Sequence, residues 1–145
     1  YLKEVVNRGE GVIKDMALLN LGFLEGMRGN IRSEYEIYKS LIEKSTDKAV
    51  LFTAIRNILV LYPDLEKTEV TLDLNEITKY FNIGLRLARE VKDKNGEFWL
   101  RYNFAVVLQK MGEFKEAIKQ IEEMYKRVRG RFRLIGVYLL QNGRL

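Results

Sequence analysis

Most side-chain catalysis near neutral pH runs through histidine or cysteine, and this chain of 145 residues contains neither. Disulfides, Cys/His zinc sites, thiol nucleophiles and every triad or general base built on imidazole are thereby removed. Asp, Glu, Lys, Tyr, Ser and Arg remain, yet no phosphate-cradling glycine loop and no calcium loop arranges them. The neighbouring carboxylates Glu122 and Glu123 read as a solvated face, because adjacent helix positions do not converge on one substrate. The residue types imply a non-catalytic chain that needs no cofactor and no metal.

The other concentration of chemistry is positive charge. Lys126, Arg127, Arg129, Arg131, Arg133 and Arg144 follow one another with no acid between them, so the net charge of +5 belongs to one end of the chain. Arg127, Arg129, Arg131 and Arg133 could neutralise phosphates, the main source of non-specific nucleic-acid affinity. Alternatively, Lys126 and Arg127 complement the dipole of a helix end while the others coat an exposed turn. The second reading is favoured, since Phe132 is the one stacking aromatic between Arg127 and Arg133.

Such residues act only where elements place them. The chain is 47% hydrophobic, enough for one continuous core, and no stretch approaches the roughly 18 uncharged apolar residues of a membrane span. With no secretory signal pattern at its start, the expectation is a cytoplasmic protein with no membrane partner. Residues 1–8 have helical spacing and read as the tail of a helix that begins upstream, broken at Gly9-Glu10-Gly11. Val12 to Arg28 is apolar on nearly every side, as expected of a helix sandwiched between neighbours, and Gly29-Asn30 ends it. Ser45-Thr46-Asp47 supplies N-cap residues for a helix over Ala49 to Leu61, which Tyr62-Pro63-Asp64 is expected to stop. Residues 63–73 then read as a long connection. A helix follows over Asn75 to Lys92, with Ile77, Tyr80, Phe81, Gly84, Leu85, Ala88 and Val91 inward.

The stretch Leu100 to Val128 reads as two helices joined at Gly112, the second carrying Phe114, Ala117, Ile118, Ile121, Met124, Tyr125 and Val128 at spacings of three and four. This hairpin repeats earlier. Asn20-Leu21-Gly22 and Gly29 have the internal spacing of Asn103-Phe104-Ala105 and Gly112, and Ile31, Tyr38 and Leu41 match Phe114, Ile121 and Met124. The match departs at Glu34, which occupies the place of Ala117, where close helix packing wants a small side chain. Gly136 and Gly143 repeat the same seven-residue step. With Phe104-Ala105 standing for a Leu-Gly pair, Gly112 for the turn glycine, and Ala117 and Ile121 for the small and large residues, the pattern resembles the tetratricopeptide repeat family.

The resemblance implies an all-α, right-handed superhelical solenoid of antiparallel helical hairpins. Its units would be a repeat at 12–45, a repeat at 46–94 with an insertion at 63–73, a repeat at 97–128, and the first helix of a truncated repeat at 131–145. It also implies a scaffold or regulatory module that binds a peptide or helix of another protein on a concave side lined by each unit's first helix. The positions carried over are Leu19, Asn20, Phe23 and Met27 in one hairpin and Tyr102, Asn103, Val106 and Lys110 in the other, the asparagines bonding a partner's main chain. Lysines that ring the groove in carboxylate-binding members are replaced here by Leu19, Phe23, Tyr102 and Val106, which implies an apolar or amphipathic partner. Trp99, Tyr102 and the methionines are expected in the core. Open ends would permit a homo-oligomer through end-to-end contact, and a nucleic-acid-associated regulator is the alternative.

Overall fold

The computed structural model describes residues 2–127, with side chains from residue 9 onward, and within them it is all-helical. Six helices follow one another: α1 Leu2–Met27, α2 Ile31–Lys44, α3 Lys48–Leu65, α4 Leu74–Glu90, α5 Lys94–Lys110 and α6 Phe114–Arg127. The expected helix over 131–145 and the residues Arg129, Arg131 and Arg133 lie outside the described residues. Two compact units divide the chain, Tyr1–Asp73 and Leu74–Leu145. In the first, α2 packs on both α1 and α3, and α3 also meets α1; in the second, α5 packs on α4 and α6.

Three of the turns are one device. At the end of α1, the Asn30 amide donates to the Glu25 carbonyl at 2.8 Å and the Gly29 amide to that of Gly26 at 3.0 Å, with Gly29 at φ 86°. The same pair of bonds closes α5, from Glu113 to Leu108 and from Gly112 to Gln109, with Gly112 at φ 81°. This crossed pairing satisfies carbonyls that the helix end leaves open, and it requires a left-handed residue that glycine adopts without a Cβ clash. The end of α4 uses it too, through Asp93 to Ala88 and Lys92 to Arg89, although the left-handed residue there is Lys92 at φ 56°. Asp93 then caps α5 by accepting the Gly96 amide at 2.8 Å, and Asp47 caps α3 through Val50 at 3.0 Å.

Two expected breaks are absent. The helix α1 runs through Gly9 and Gly11, since a glycine weakens a helix by about 1 kcal/mol but keeps its N–H and reaches helical dihedrals. The helix α3 runs through Pro63 to Leu65. Leu61 and Leu65 are both buried, and this tertiary packing overrides the local bias of Tyr62 against helix. The connection is therefore confined to residues 66–73. It is ordered by the Thr68 hydroxyl, which donates to the Leu65 carbonyl at 2.8 Å and accepts the Val70 amide at 3.1 Å, with Leu72 tucked inward.

The first unit has Tyr38, Ala54, Ile55, Ile58 and Leu59 fully inside. Its α1 is not sandwiched: Ile13, Met16, Leu24 and Met27 lie on an exposed face, because α2 and α3 cover only the side that carries Gly22 and Gly26. In the second unit, Phe81 of α4 stacks on Phe104 of α5 with centroids 4.1 Å apart, beside buried Ile77, Leu100 and Leu108. Val91 is exposed instead of inward. On α6 the covered seam is Ala117, Gln120 and Met124, whereas Phe114, Ile118 and Tyr125 are exposed. Among the described residues one neighbouring helix, α5, covers one stripe. Trp99 is likewise 49% exposed, its ring meeting those of Phe98 and Tyr102 edge to face.

Candidate functional groove

The hairpin α1–α2 is closed by two matched pairs four residues apart on each helix. Gly22 lies over the ring of Tyr38, and a Cβ there would come 2.8 Å from Tyr38 Cε1; Gly26 lies over the carboxyl of Glu34. The place where the repeat pattern wants a small residue on α2 is thus filled by Glu34, and the missing space is provided by Gly26 on α1. Burial leaves Glu34 9% exposed. A carboxyl taken from water needs a hydrogen bond, and the Tyr38 hydroxyl donates one to Oε2 at 2.7 Å.

Above these two side chains a groove of about 270 Å³ opens in the first unit, with α2 as its floor. Its walls are Phe23 and Met27 from α1 and Val60 from α3, which are 57%, 70% and 57% exposed. These are large apolar side chains held in water around a recess, an arrangement that a covering surface could desolvate. Asn57 and Asp64 of α3 add polar groups at its edge. No lysine or arginine lines it among the described residues. Burial pushes the Glu34 carboxyl above the usual carboxylate range; the Tyr38 hydrogen bond opposes this, and the nearby Asp64 adds to it. Burial and the carboxyl it donates to push the Tyr38 hydroxyl up as well.

The second unit holds a different polar centre, which the residue spacing did not reveal. Glu97, nearly buried, takes Arg89 Nε at 3.0 Å, Arg101 Nη2 at 3.6 Å and Arg127 Nη1 at 3.7 Å. Arg101 is buried, donates to Gln120 Oε1 at 2.7 Å, and lies over the Phe81 ring with 5.8 Å from Cζ to the centroid. Its Nε has no hydrogen-bond partner. A recess of about 200 Å³ adjoins this cluster, with Lys94 and Arg127 at its wall. Arg127 is shared between Glu97 and Glu123, so its charge is committed within the unit. The cluster ties α4, α5 and α6 together, since each contributes a charged group to it. The clue was available: Glu97 and Arg101 are one helical turn apart inside an apolar stretch, and Gln120 interrupts the apolar stripe of α6.

The eight positions carried over from the repeat pattern separate into two groups. Phe23 and Met27 line the groove, whereas Leu19, half-buried on α1, and exposed Asn20 are not among its lining residues. In the second unit Tyr102, also expected in the core, is buried with Phe98 and Met124, and Val106 packs against that cluster, so the ring supports the α5–α6 hairpin and offers little open surface. Asn103 is half-buried and Lys110 exposed on α5. Among the groove residues that the pattern missed are Glu34, Asn57, Val60 and Asp64, which come from α2 and α3. No protein-family model matches this chain, and no curated protein and no solved structure matches it.

Proposed function

We propose that the chain is a non-catalytic interaction module, built as stacked helical hairpins of the tetratricopeptide type, that holds a segment of another protein in the groove of its first unit. The observation that carries this reading is the set of Phe23, Met27 and Val60, large apolar side chains more than half exposed around a shaped recess. Anchors of this kind give binding energy when a partner covers them, about 1 to 3 kcal/mol for each well-seated side chain. The recurring caps at Gly29 and Gly112 support a repeated hairpin. A nucleic-acid-associated regulator is the second reading. The ion pairs of Arg127 count against it, as a phosphate would have to compete with Glu97 and Glu123.

The test is site-specific photo-crosslinking in the source cell, with the crosslinker placed at Met27, at Val60, and at exposed Glu43 on α2 as the control. One and the same protein should be captured from Met27 and Val60 but not from Glu43. Identical adducts from all three positions, or adducts from Glu43 alone, would place the binding surface elsewhere.

A further inference from the structure

The apolar walls of the groove converge on a polar floor that no lysine or arginine lines among the described residues. Glu34 is nine-tenths buried, its Oε2 accepts from the Tyr38 hydroxyl, and its Oε1 lies against Gly26 with no ion pair to it among the described residues. Asp64, exposed at the rim, has no ion pair among the described residues. An apolar segment laid across this floor would strand a carboxylate away from water with no partner for its charge. A carboxylate-bearing segment would be repelled by both groups. A segment that brings one positive charge on an apolar stem is complementary to wall and floor together.

We propose that the groove takes a lysine side chain presented by the partner protein between apolar residues, its four-carbon stem against Phe23, Met27 and Val60 and its ammonium on Glu34 Oε1 and Asp64. Lysine suits the floor better than arginine. A guanidinium fork engages both oxygens of one carboxylate, and one oxygen of Glu34 is already used, whereas a compact ammonium can divide its donors between two carboxylates. The inference rests on the reading of the groove as the partner-binding surface. It adds the chemistry of the occupant.

The groups that act on Glu34 are Tyr38 from α2 and Asp64 from α3, with Asn57 of α3 acting on the Tyr38 hydroxyl. From α1 the groove receives Phe23, Gly26 and Met27, none of which is charged. A lysine that binds the ionised form of Glu34 therefore binds more tightly as the pH rises through the elevated titration range of that carboxyl. A norleucine in its place gains nothing from that rise.

The experiment is selection of short random peptides displayed on phage against the full immobilised chain. The best peptide is then titrated by calorimetry against the wild type, Phe23→Ala, Asp64→Asn and Glu34→Gln. The amide of the last variant can still accept the Tyr38 hydrogen bond, and Asp64→Asn alters an exposed position, so at least one charge variant folds. Circular dichroism checks each protein. The selected peptides should carry a lysine flanked by apolar residues, and replacing it by norleucine should weaken binding at least about tenfold. Against Glu34→Gln or Asp64→Asn that replacement should matter much less. Peptides without lysine that bind Glu34→Gln and Asp64→Asn as tightly as the wild type but lose Phe23→Ala would overturn the inference and leave the groove reading standing. No enriched peptide, or binding indifferent to Phe23→Ala, would overturn both.

Discussion

Gly26 on α1 and Glu34 on α2 occupy one space: a Cβ on Gly26 would lie 2.5 Å from the Glu34 Cδ. In an open helix, glycine to alanine stabilises by roughly 0.5 to 1 kcal/mol, because alanine loses less backbone freedom on folding. At Gly26 and Gly22 the sign reverses. The added methyl displaces the Glu34 carboxyl or the Tyr38 ring, both buried, and overpacking of this kind costs about 1 to 3 kcal/mol. Urea unfolding should show Gly22→Ala and Gly26→Ala less stable than the wild type. Gly9→Ala and Gly11→Ala, where nothing lies within 4 Å, should be more stable by roughly 0.5 to 1 kcal/mol each.

Lys92 holds a left-handed conformation that costs an ordinary residue about 1 to 2 kcal/mol. The hydrogen bonds from its amide to the Arg89 carbonyl and from the Asp93 amide to the Ala88 carbonyl keep it there. Lys92→Gly keeps both bonds and removes the clash. A gain of about 1 kcal/mol in unfolding free energy is expected, and a loss would mean that the lysine side chain itself anchors the turn.

Acid titration should expose Glu34. Because burial raises its carboxyl in the folded state, the native protein holds a proton more readily than the unfolded chain does. The contribution of this group to stability is then largest below the ordinary carboxylate value and is lost as the pH rises through the elevated one. Glu34→Gln carries no such charge. The variant should therefore exceed the wild type in urea midpoint at neutral pH, with the difference shrinking on acidification. A difference independent of pH would show that Glu34 titrates like an exposed carboxylate.

Glu97 serves three arginines, and its loss should be felt unequally among them. Arg101 is buried, so Glu97→Ala leaves a desolvated guanidinium without its carboxylate, a change of about 3 to 5 kcal/mol. Arg89 keeps half its side chain in water, and Arg89→Ala should cost less than about 1 kcal/mol. Thermal unfolding of the two variants decides this. Equal effects would mean that the exposed pair carries as much as the buried one.

Helices and two of their turns were legible because they are local. The glycines at 29 and 112 mark a left-handed cap by residue type, and Asp47 marks an N-cap through its side chain. Lys92 makes the same turn without the marker, since the conformation and not the glycine is what the cap requires. Gly9, Gly11 and Pro63 carry local penalties that were read as breaks. At Pro63 the burial of Leu61 and Leu65 outweighs a bias that acts over one residue.

Periodicity showed the apolar stripe of α6 and an α1 apolar on nearly every side, but could not show how much of either helix a neighbour covers. Phe114, Ile118 and Met27 are therefore exposed although their spacing is that of a core. The sequence by itself determined an all-helical chain with hairpin turns at Gly29 and Gly112, because hydrogen bonds to the third or fourth neighbour and the caps beside them depend on adjacent residues alone. The tertiary structure decided that Glu34 fits under Gly26, that Glu97 gathers Arg89, Arg101 and Arg127, and that Val60 and Asp64 join Phe23 at one groove. Those meetings depend on the axial offset between packed helices, which is set by the sum of all contacts along both and is written in neither one.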